Sequence, residues 1–266
     1  MIDIRLGSGD TVLTISRDGG GRMAGLRVGD LDVIGRGGNG LYEWGCFALA
    51  PFAGRVRRGR LTWQSITHQL PITFGPHAIH GVTVDRPWQV LDLTANTARL
   101  SCPFDARWPW PGHAESAFTL AEDGLEARLE VHAEREPMPA WIGWHPWFSR
   151  RLARGGPVQL DLKAGGMLAR DKDGIPDGTV VEPPAGPWDD CFTDVSWPIR
   201  LTWDEALTLS VEGDAGYAVV YDERETAVCA EPQTGPPDAV ALDRHAVVEP
   251  GRPLALAMSW RWVRLA

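Results

Sequence analysis

The sequence predicts an all-β protein, a large antiparallel β-sandwich, and three features of the chain carry that prediction. Apolar and polar residues alternate in several short runs, turn-forming residues separate these runs, and helical periodicity is hard to find. The 30 glycines and 21 prolines allow frequent turns. Sandwiches of this length commonly form one unit, so we expect residues 1–266 to be a single domain.

The clearest predicted strand begins at Leu125 and ends at Ala133. Every second residue in it is apolar, and the residues between are charged or histidine. This period of two is typical of a strand with one buried face. Similar alternation predicts strands at residues 158–162, 207–211 and 254–262.

Residues 174–188 are rich in proline and glycine and resemble a linker in composition. Apolar strand patterns resume beyond this stretch, and the overall composition does not shift there. We therefore predict a long surface loop within the domain at this position.

Composition limits the classes of partner. The net charge of −9 would repel a phosphate backbone, so we expect no nucleic-acid partner. The N-terminal residues lack a signal-peptide pattern and no apolar run approaches ~20 residues, so we expect a cytoplasmic protein with no membrane partner. The four scattered cysteines form no C-x-x-C pair, which predicts buried free thiols.

Several common catalytic motifs are missing from the sequence. It has no G-x-S-x-G elbow, no P-loop and no G-x-G-x-x-G followed by a helix. His77 and His80 lie in a stretch bounded by glycine and proline, which does not supply a helical H-E-x-x-H zinc site. We therefore predict neither a metal nor a cofactor.

Tryptophan is unusually frequent, with 13 residues against three tyrosines. Indole rings pack well against the apolar face of a sugar, but most tryptophans in a large sandwich fill its core. The excess is compatible with a carbohydrate site and does not identify one.

Three short segments contain candidate acids and bases. His77 and His80 lie in Gly75–Gly81, and His145 lies between Trp144 and a proline. Glu231 ends an apolar run and precedes a proline-rich stretch, which is typical of a carboxylate at a sheet edge or pocket rim. Each has an ordinary alternative, a structural histidine or a solvated acid.

Taken together, these segments resemble the aldose 1-epimerase (galactose mutarotase) family, in chain order and over most of the length. The similar segments are Pro51–Val56 (family Pro-Phe-x-Asn-Arg-Ile), Ile79–Val82 (Leu-His-Gly-Gly), His145–Phe148 (His-Pro-Tyr-Phe), Trp188–Phe192 (Phe-Asp-x-x-Phe), Glu231–Gln233 (Glu-x-Gln), Pro237–Ala239 (Pro-Asp-Ala) and the turn Glu249–Gly251. Gly54, Val82 and Trp147 depart from the family pattern, which leaves the sugar open.

The resemblance implies a role for each matching residue. Glu231 would be the general base and His145 the general acid, with His80 as a second imidazole at the ring oxygen. Arg55 and Asp189 would bind sugar hydroxyls. It also implies a galactose mutarotase-like supersandwich with an open sugar cleft and no cofactor. We add His77, which lies beside His80, as a substrate-binding candidate.

The predicted activity is interconversion of the α and β anomers of a free or phosphorylated aldose. Ring opening needs one group to take the anomeric hydroxyl proton and another to protonate the ring oxygen, and Glu and His can do both. Two alternatives share the fold, a non-catalytic carbohydrate-binding module and a sugar-phosphate mutarotase. A third is a glycoside hydrolase that pairs Asp189 with Glu231. The oligomeric state stays open.

Overall fold

The computed structural model describes residues 3–265, which form 25 strands, one 3-10 turn (Arg57–Gly59) and no α-helix. No helix in this range is long and apolar enough to cross a membrane. The strands are β1 Asp3–Ser8, β2 Thr11–Ser16, β3 Arg22–Val28, β4 Leu31–Asp32, β5 Cys46–Leu49, β6 Arg55–Val56, β7 Arg60–Trp63, β8 Ile66–Gln69, β9 Ala78–Ile79, β10 Gln89–Leu93, β11 Thr97–Pro103, β12 Gly112–Leu120, β13 Gly124–Ala133, β14 Met138–Ala140, β15 Gly143–Ser149, β16 Gln159–Asp161, β17 Ala164–Arg170, β18 Pro176–Val181, β19 Asp189–Val195, β20 Ile199–Trp203, β21 Leu207–Gly213, β22 Tyr217–Tyr221, β23 Ala227–Gln233, β24 Ala246–Val248 and β25 Leu254–Arg264.

Two large antiparallel sheets contain most of these strands. The eleven-stranded sheet has the order β1-β2-β3-β5-β15-β23-β22-β19-β17-β18, with β4 paired to β3. The eight-stranded sheet has the order β10-β11-β12-β13-β25-β21-β20-β16. The pairs β14-β24, β6-β9 and β7-β8 form small additional ribbons.

The two large sheets pack face to face through aromatic side chains. Phe148 of β15 lies 5.0 Å from Trp260 of β25, measured between ring centroids. Trp144 of β15 and Phe118 of β12 have centroids 5.7 Å apart. These residues belong to one buried apolar cluster that draws on both sheets, as the sandwich prediction requires.

Three of the four strands predicted from the alternation of apolar and polar residues are confirmed. β13, β21 and β25 cover the predicted runs, and the apolar residues of β13 are buried while its charged residues are exposed or half-buried. The run at 158–162 contains only the short strand Gln159–Asp161. All four cysteines are free and buried, as expected.

The prediction of one long loop over residues 174–188 is wrong. Pro176–Val181 forms β18, which pairs with β17 at the edge of the eleven-stranded sheet. An edge strand tolerates proline and glycine because one row of its backbone groups has no partner strand. Gly178 has a φ of +92° there, and the register shifts between Leu168 and Arg170 on β17.

Arg22, the first residue of β3, is fully buried. Its guanidinium donates hydrogen bonds to the backbone carbonyls of Gly19, Leu41, Trp44 and Val84 at 2.6–3.2 Å. It also lies 4.1 Å from the ring centroid of Trp44 and 5.0 Å from that of Phe47. Burial lowers the pKa of Arg22 to about 10, which still leaves it cationic at neutral pH.

Candidate active site

A cleft of about 920 Å³ opens on the eleven-stranded sheet, on the face turned away from the second sheet. Strands β15, β17, β19, β22 and β23 form its floor. Residues from the loops and ribbons above them, among them Tyr42, Arg55, Phe74 and His80, form its walls. This volume includes open space at the mouth of the cleft.

Alternation along β15 points His145 into the cleft. Trp144 and Phe148 contact the second sheet, so the residues between them on the opposite face, His145 and Trp147, point the other way. Both line the cleft.

Strand β23 presents Glu231 and Gln233 to the same cleft. Gly143 pairs with Gln233 and Trp147 pairs with Cys229, so the register between them sets His145 opposite Glu231. His145 Nε2 lies 3.3 Å from Glu231 Oε1. Both side chains are almost fully buried, with 7% and 2% of their side-chain surface exposed.

Aromatic rings hold the imidazole of His145 in place. It stacks on Phe47 of the neighbouring strand β5, with centroids 4.6 Å apart and an interplanar angle of 23°. It also stacks on Trp147, two residues along β15, at 5.4 Å. His80 meets it edge-on at 5.1 Å. The ring therefore has little rotational freedom.

Burial disfavours the charged forms of both Glu231 and His145, and this shifts the pKa of each. It raises the pKa of Glu231 well above the usual carboxyl range, with a further rise from the negative charge of Asp189. It lowers the pKa of His145 to about 3. The pKa of His80 is lowered by burial and by the neighbouring His145. Over a wide pH range the buried Glu231–His145 pair therefore holds a single proton.

Two interactions favour the carboxylate form of Glu231 against that burial cost. The side-chain amide of Gln233 donates a hydrogen bond to Glu231 Oε2 at 2.9 Å, and this lowers the Glu231 pKa. The positive charge of Arg55 acts in the same direction. These two interactions offset part of the cost of burying the Glu231 carboxylate.

His80 reaches the cleft because the backbone around it is in the left-handed region. Its φ is 58° and that of Gly81 is 77°. A Cβ on Gly81 would lie 1.9 Å from the carbonyl oxygen of Ala50, so only glycine fits there. The backbone N–H of His80 donates to the carbonyl of Gly54 at 3.1 Å.

Arg55 and Asp189 face each other across the mouth of the cleft, with Arg55 Nη2 3.6 Å from Asp189 Oδ2. The guanidinium also lies 5.6 Å from the ring centroid of Phe74. Burial raises the pKa of Asp189, although Arg55 opposes the rise. Both residues are half-exposed and line the cleft, which suits them to contact a polar ligand.

His77 lies elsewhere. It is buried, it does not line the cleft, and its Nδ1 accepts a hydrogen bond from the backbone N–H of Arg58 at 3.0 Å. That contact supports the turn Arg57–Gly59, which follows Arg55 directly. The structure thus brings five of the six sequence-predicted site residues together and gives His77 a contact with the backbone instead.

Several polar atoms in the cleft are buried but unpartnered among residues 3–265. They are His80 Nδ1, His145 Nδ1 and Gln233 Oε1. Buried polar atoms without a partner cost free energy, and few are found in native proteins. Other buried atoms without a partner lie outside the cleft, at Trp63, His77, Ser116, Trp144, His245 and Trp260, so the three do not by themselves identify a site. Within the cleft they are groups that a ligand or solvent can complete.

A family model described as aldose 1-epimerase matches residues 18–254. The chain belongs to the aldose 1-epimerase family. The matched range includes all the cleft residues described above.

Solved structures of similar proteins agree with the fold of this family member. A putative aldose 1-epimerase from Escherichia coli K12 superposes with a TM-score of 0.85 at 21% identity, covering 99% of both chains. A galactose mutarotase-like protein from Clostridium acetobutylicum has a TM-score of 0.87 at 15% identity, covering 99% of this chain and 95% of its own. Galactose 1-epimerase from Lactobacillus acidophilus NCFM has a TM-score of 0.81 at 18% identity, covering 99% and 95%.

Two curated Escherichia coli K12 proteins match over shorter stretches. The uncharacterized protein YphB is 32% identical over 107 residues, which is 39% of this chain and 36% of its own length. The uncharacterized protein YihR is 27% identical over 134 residues, 48% of this chain and 44% of its own. The matched stretches thus span less than half of each relative.

Sequence reasoning about this aldose 1-epimerase family member missed several cleft residues. Arg170 of β17 binds Asp190 through Nε at 2.6 Å, and Arg224 binds Glu43 at 2.9 Å. Asp190 and Gln233 lie inside motifs that resembled the family, and that signal could have identified them. Arg170 and Arg224 belong to no motif. The position of β17 in the sheet brings Arg170 to the cleft, and Arg224 lies in the loop between β22 and β23.

One buried group in the cleft has ligand atoms close enough for a metal ion, namely His145, Cys229 and Glu231, whose atoms lie within 4.8 Å of one another. A thiol must ionise to bind a metal. Burial and the charge of Glu231 raise the pKa of Cys229 well above its usual range, which increases the cost of forming the thiolate that a metal would need. His145 and Glu231 are also already in contact. This group fits acid–base chemistry better than metal binding.

Proposed function

We propose that the protein is a mutarotase that interconverts the anomers of a neutral aldose, with Glu231 as base and His145 as acid. The observation that carries the proposal is the contact between His145 Nε2 and Glu231 Oε1 at 3.3 Å, at the floor of a cleft large enough for a sugar. A carboxylate and an imidazole at this distance can act on two adjacent oxygens, and an anomeric carbon carries two.

The reactive state has the proton of the pair on His145, although burial places it on Glu231 in the unliganded cleft. Glu231 takes the proton of the anomeric hydroxyl as the bond between the anomeric carbon and the ring oxygen breaks, and His145 Nε2 gives its proton to the ring oxygen. The product is the open-chain aldehyde. After rotation about the adjacent carbon–carbon bond, the same groups act in reverse and close the ring with the opposite configuration.

Neighbouring groups stabilise the ionised Glu231 that this state requires. Arg55 and the amide of Gln233 stabilise the Glu231 carboxylate. His80 lies edge-on to His145, and burial keeps it neutral, so it can accept or donate one hydrogen bond at the ring oxygen. Arg55 and Asp189 at the mouth are suited to bind hydroxyls, and Trp147 offers an indole face.

The charge of the cleft favours a neutral sugar over a sugar phosphate. Three arginines line it, Arg55, Arg170 and Arg224, and each lies within 4 Å of a carboxylate. The four lining carboxylates, Glu43, Asp189, Asp190 and Glu231, outnumber them. A phosphate would have to displace an existing ion pair to gain a cation. The exposed Arg58 and Arg60 do not line the cleft.

Saturation-transfer NMR across a panel of aldoses tests the activity, because it measures exchange between anomers at equilibrium. We expect exchange well above the buffer rate for at least one neutral aldose, and slower exchange for its 6-phosphate. Binding without accelerated exchange would instead support a carbohydrate-binding module. Release of sugar from an aryl glycoside would support the glycosidase alternative.

A further inference from the structure

A second cluster of chemistry-bearing side chains lies on the other large sheet. Strands β12 and β13 are neighbours in the eight-stranded sheet, and their register pairs His113 with His132 and Glu115 with Glu130. The residues between them, such as Ala114 and Val131, are buried in the sandwich, so these four point outward. None of them lines the sugar cleft.

The two imidazoles are held parallel. Their ring centroids are 4.6 Å apart and the angle between the planes is 2°. One ligand atom from each of His113, Glu115 and His132 lies within 4.8 Å of the other two. Ligands of a tetrahedral zinc ion at ~2.0–2.1 Å from the metal lie roughly 3.3 Å from one another. An imidazole binds a metal in the plane of its ring, so the two parallel rings must turn toward a common point when they take up an ion.

The carboxylates are oriented by arginines in the same way on both strands. Glu115 binds Arg99 through Oε2 at 3.1 Å and turns Oε1 toward His113 Nε2 at 3.5 Å. Glu130 binds Arg128 through Oε1 at 2.8 Å and turns Oε2 toward His132 Nε2 at 3.2 Å. Each glutamate therefore keeps one oxygen beside a histidine.

This charge arrangement favours a cation at the centre. A third carboxylate, Glu134, approaches His113 Nδ1 at 3.8 Å, so three glutamates surround the imidazoles and two arginines offset them from outside. The side chains of His113, His132 and Glu115 are 29%, 26% and 24% exposed, which leaves a path for an ion and for a water ligand.

We infer that His113, Glu115 and His132 form a zinc-binding site on the outer face of the eight-stranded sheet. Two imidazoles and one carboxylate are a ligand set that zinc takes readily, with a fourth position left for water or for Glu130. Arg99 holds the Glu115 carboxylate in place, as residues behind a metal ligand usually do. The bound ion joins β12 to β13 through side chains and stabilises the folded protein over the unfolded chain.

The test uses the full chain without a histidine tag, stripped of metal with EDTA and titrated with zinc chloride by calorimetry. We expect one saturable zinc site per chain and a zinc-dependent rise in Tm. His113→Gln and His132→Gln should each weaken binding by at least about tenfold, because even loss of a residue that only supports a ligand typically costs 10–100-fold. Glu115→Gln, which changes the shape least, should weaken it as well.

His68→Gln is the matched control, since His68 is also half-buried on a surface strand but lies outside the cluster. It should bind zinc like the wild type. Glu231→Gln should also leave zinc binding unchanged, which separates this site from the buried group in the cleft. Absence of saturable binding in the wild type would overturn the inference. Undiminished affinity in His132→Gln or Glu115→Gln would overturn it as well.

Discussion

Arg22 and His145 are polar residues buried in the eleven-stranded sheet, on opposite sides of Phe47, and they differ in how completely they are hydrogen-bonded. Arg22 donates to four backbone carbonyls and is covered by two aromatic rings. His145 stacks on the same Phe47, yet its Nδ1 has no hydrogen-bond partner among the described residues. Its other nitrogen contacts a carboxylate that is itself costly to bury.

The difference separates a structural charge from a reactive one. Four of the five guanidinium N–H groups of Arg22 donate to backbone carbonyls, which fixes its charge and leaves it little further to bind. Incomplete hydrogen bonding around His145 and Glu231 leaves a proton that can move and atoms that can receive a ligand. Substitutions should therefore affect folding at the first group and turnover at the second.

The largest effect is expected for Glu231→Gln. The amide keeps the shape of the side chain but cannot accept the anomeric proton, so anomer exchange should fall by ~10²–10⁴-fold. The Tm should stay within a few degrees of the wild type, because the change removes a carboxyl group that is costly to bury. Polarimetry and thermal melts measure the two effects. Exchange near the wild-type rate would refute the role of Glu231.

Arg22→Met should have the opposite effect and lower the stability of the protein. The substitution leaves several buried carbonyls without a donor, at roughly 1–3 kcal/mol for each group that water cannot reach. We expect a loss of at least ~3 kcal/mol in the free energy of unfolding, measured by urea denaturation. Arg60→Met is the matched control, since Arg60 is exposed on β7, and it should change stability by less than ~0.5 kcal/mol. Equal effects of the two substitutions would contradict the assignment.

Arg55 lies between the two extremes because its ion pair is half-exposed. Arg55→Ala should slow anomer exchange by ~10–100-fold, as expected for the loss of ~1.5–3 kcal/mol from a charged hydrogen bond to substrate. Arg58→Ala, three residues along the chain and exposed, should leave the rate within twofold. Steady-state kinetics of both variants decide the matter, and equal losses would indicate that the whole cationic run acts together.

The smallest effect is expected for Gln233→Met, which removes the hydrogen bond to Glu231. The rate of anomer exchange in the wild type should follow a broad bell-shaped curve when it is plotted against pH. The acidic limb marks the binding of a second proton to the Glu231–His145 pair. It falls at low pH, because burial lowers the pKa of His145 to about 3. The alkaline limb marks the loss of the proton that the pair shares. It falls at high pH, because burial raises the pKa of Glu231.

Because the Gln233 hydrogen bond lowers the Glu231 pKa, its loss should move the alkaline limb to higher pH. The plateau rate should fall several-fold, in line with the ~0.5–1.5 kcal/mol that one hydrogen bond contributes. Rate measurements across pH in wild type and variant show both changes. An alkaline limb that moves to lower pH would refute the proposed coupling.

The sequence was sufficient to predict the fold class, and five of the six site residues that it nominated line one cleft. Strict alternation identified β13 because one face of that strand is buried and the other is not. The motif around His80 requires an unusual local backbone, with positive φ at His80 and Gly81, whereas His145 and Glu231 lie in regular strands and were recognised from their neighbouring residues.

What the sequence could not provide depends on distant strand pairing. Arg170 reaches the cleft only because β17 pairs with β19. β18 was missed since an edge strand accepts the prolines and glycines that elsewhere indicate a loop. His77 was assigned to the substrate because it lies near His80 in the chain, whereas the intervening strand β9 separates the two.

The position of β15 and β23 has a consequence for how activity is lost. Each lies between two neighbours in the sheet, β5 and β23 for one, β15 and β22 for the other. Amide hydrogens of such strands exchange with solvent mainly when the whole domain opens. Those beside His145 and Glu231 should therefore be among the slowest in the chain, and in rising urea catalysis should disappear in the same transition as the sheet.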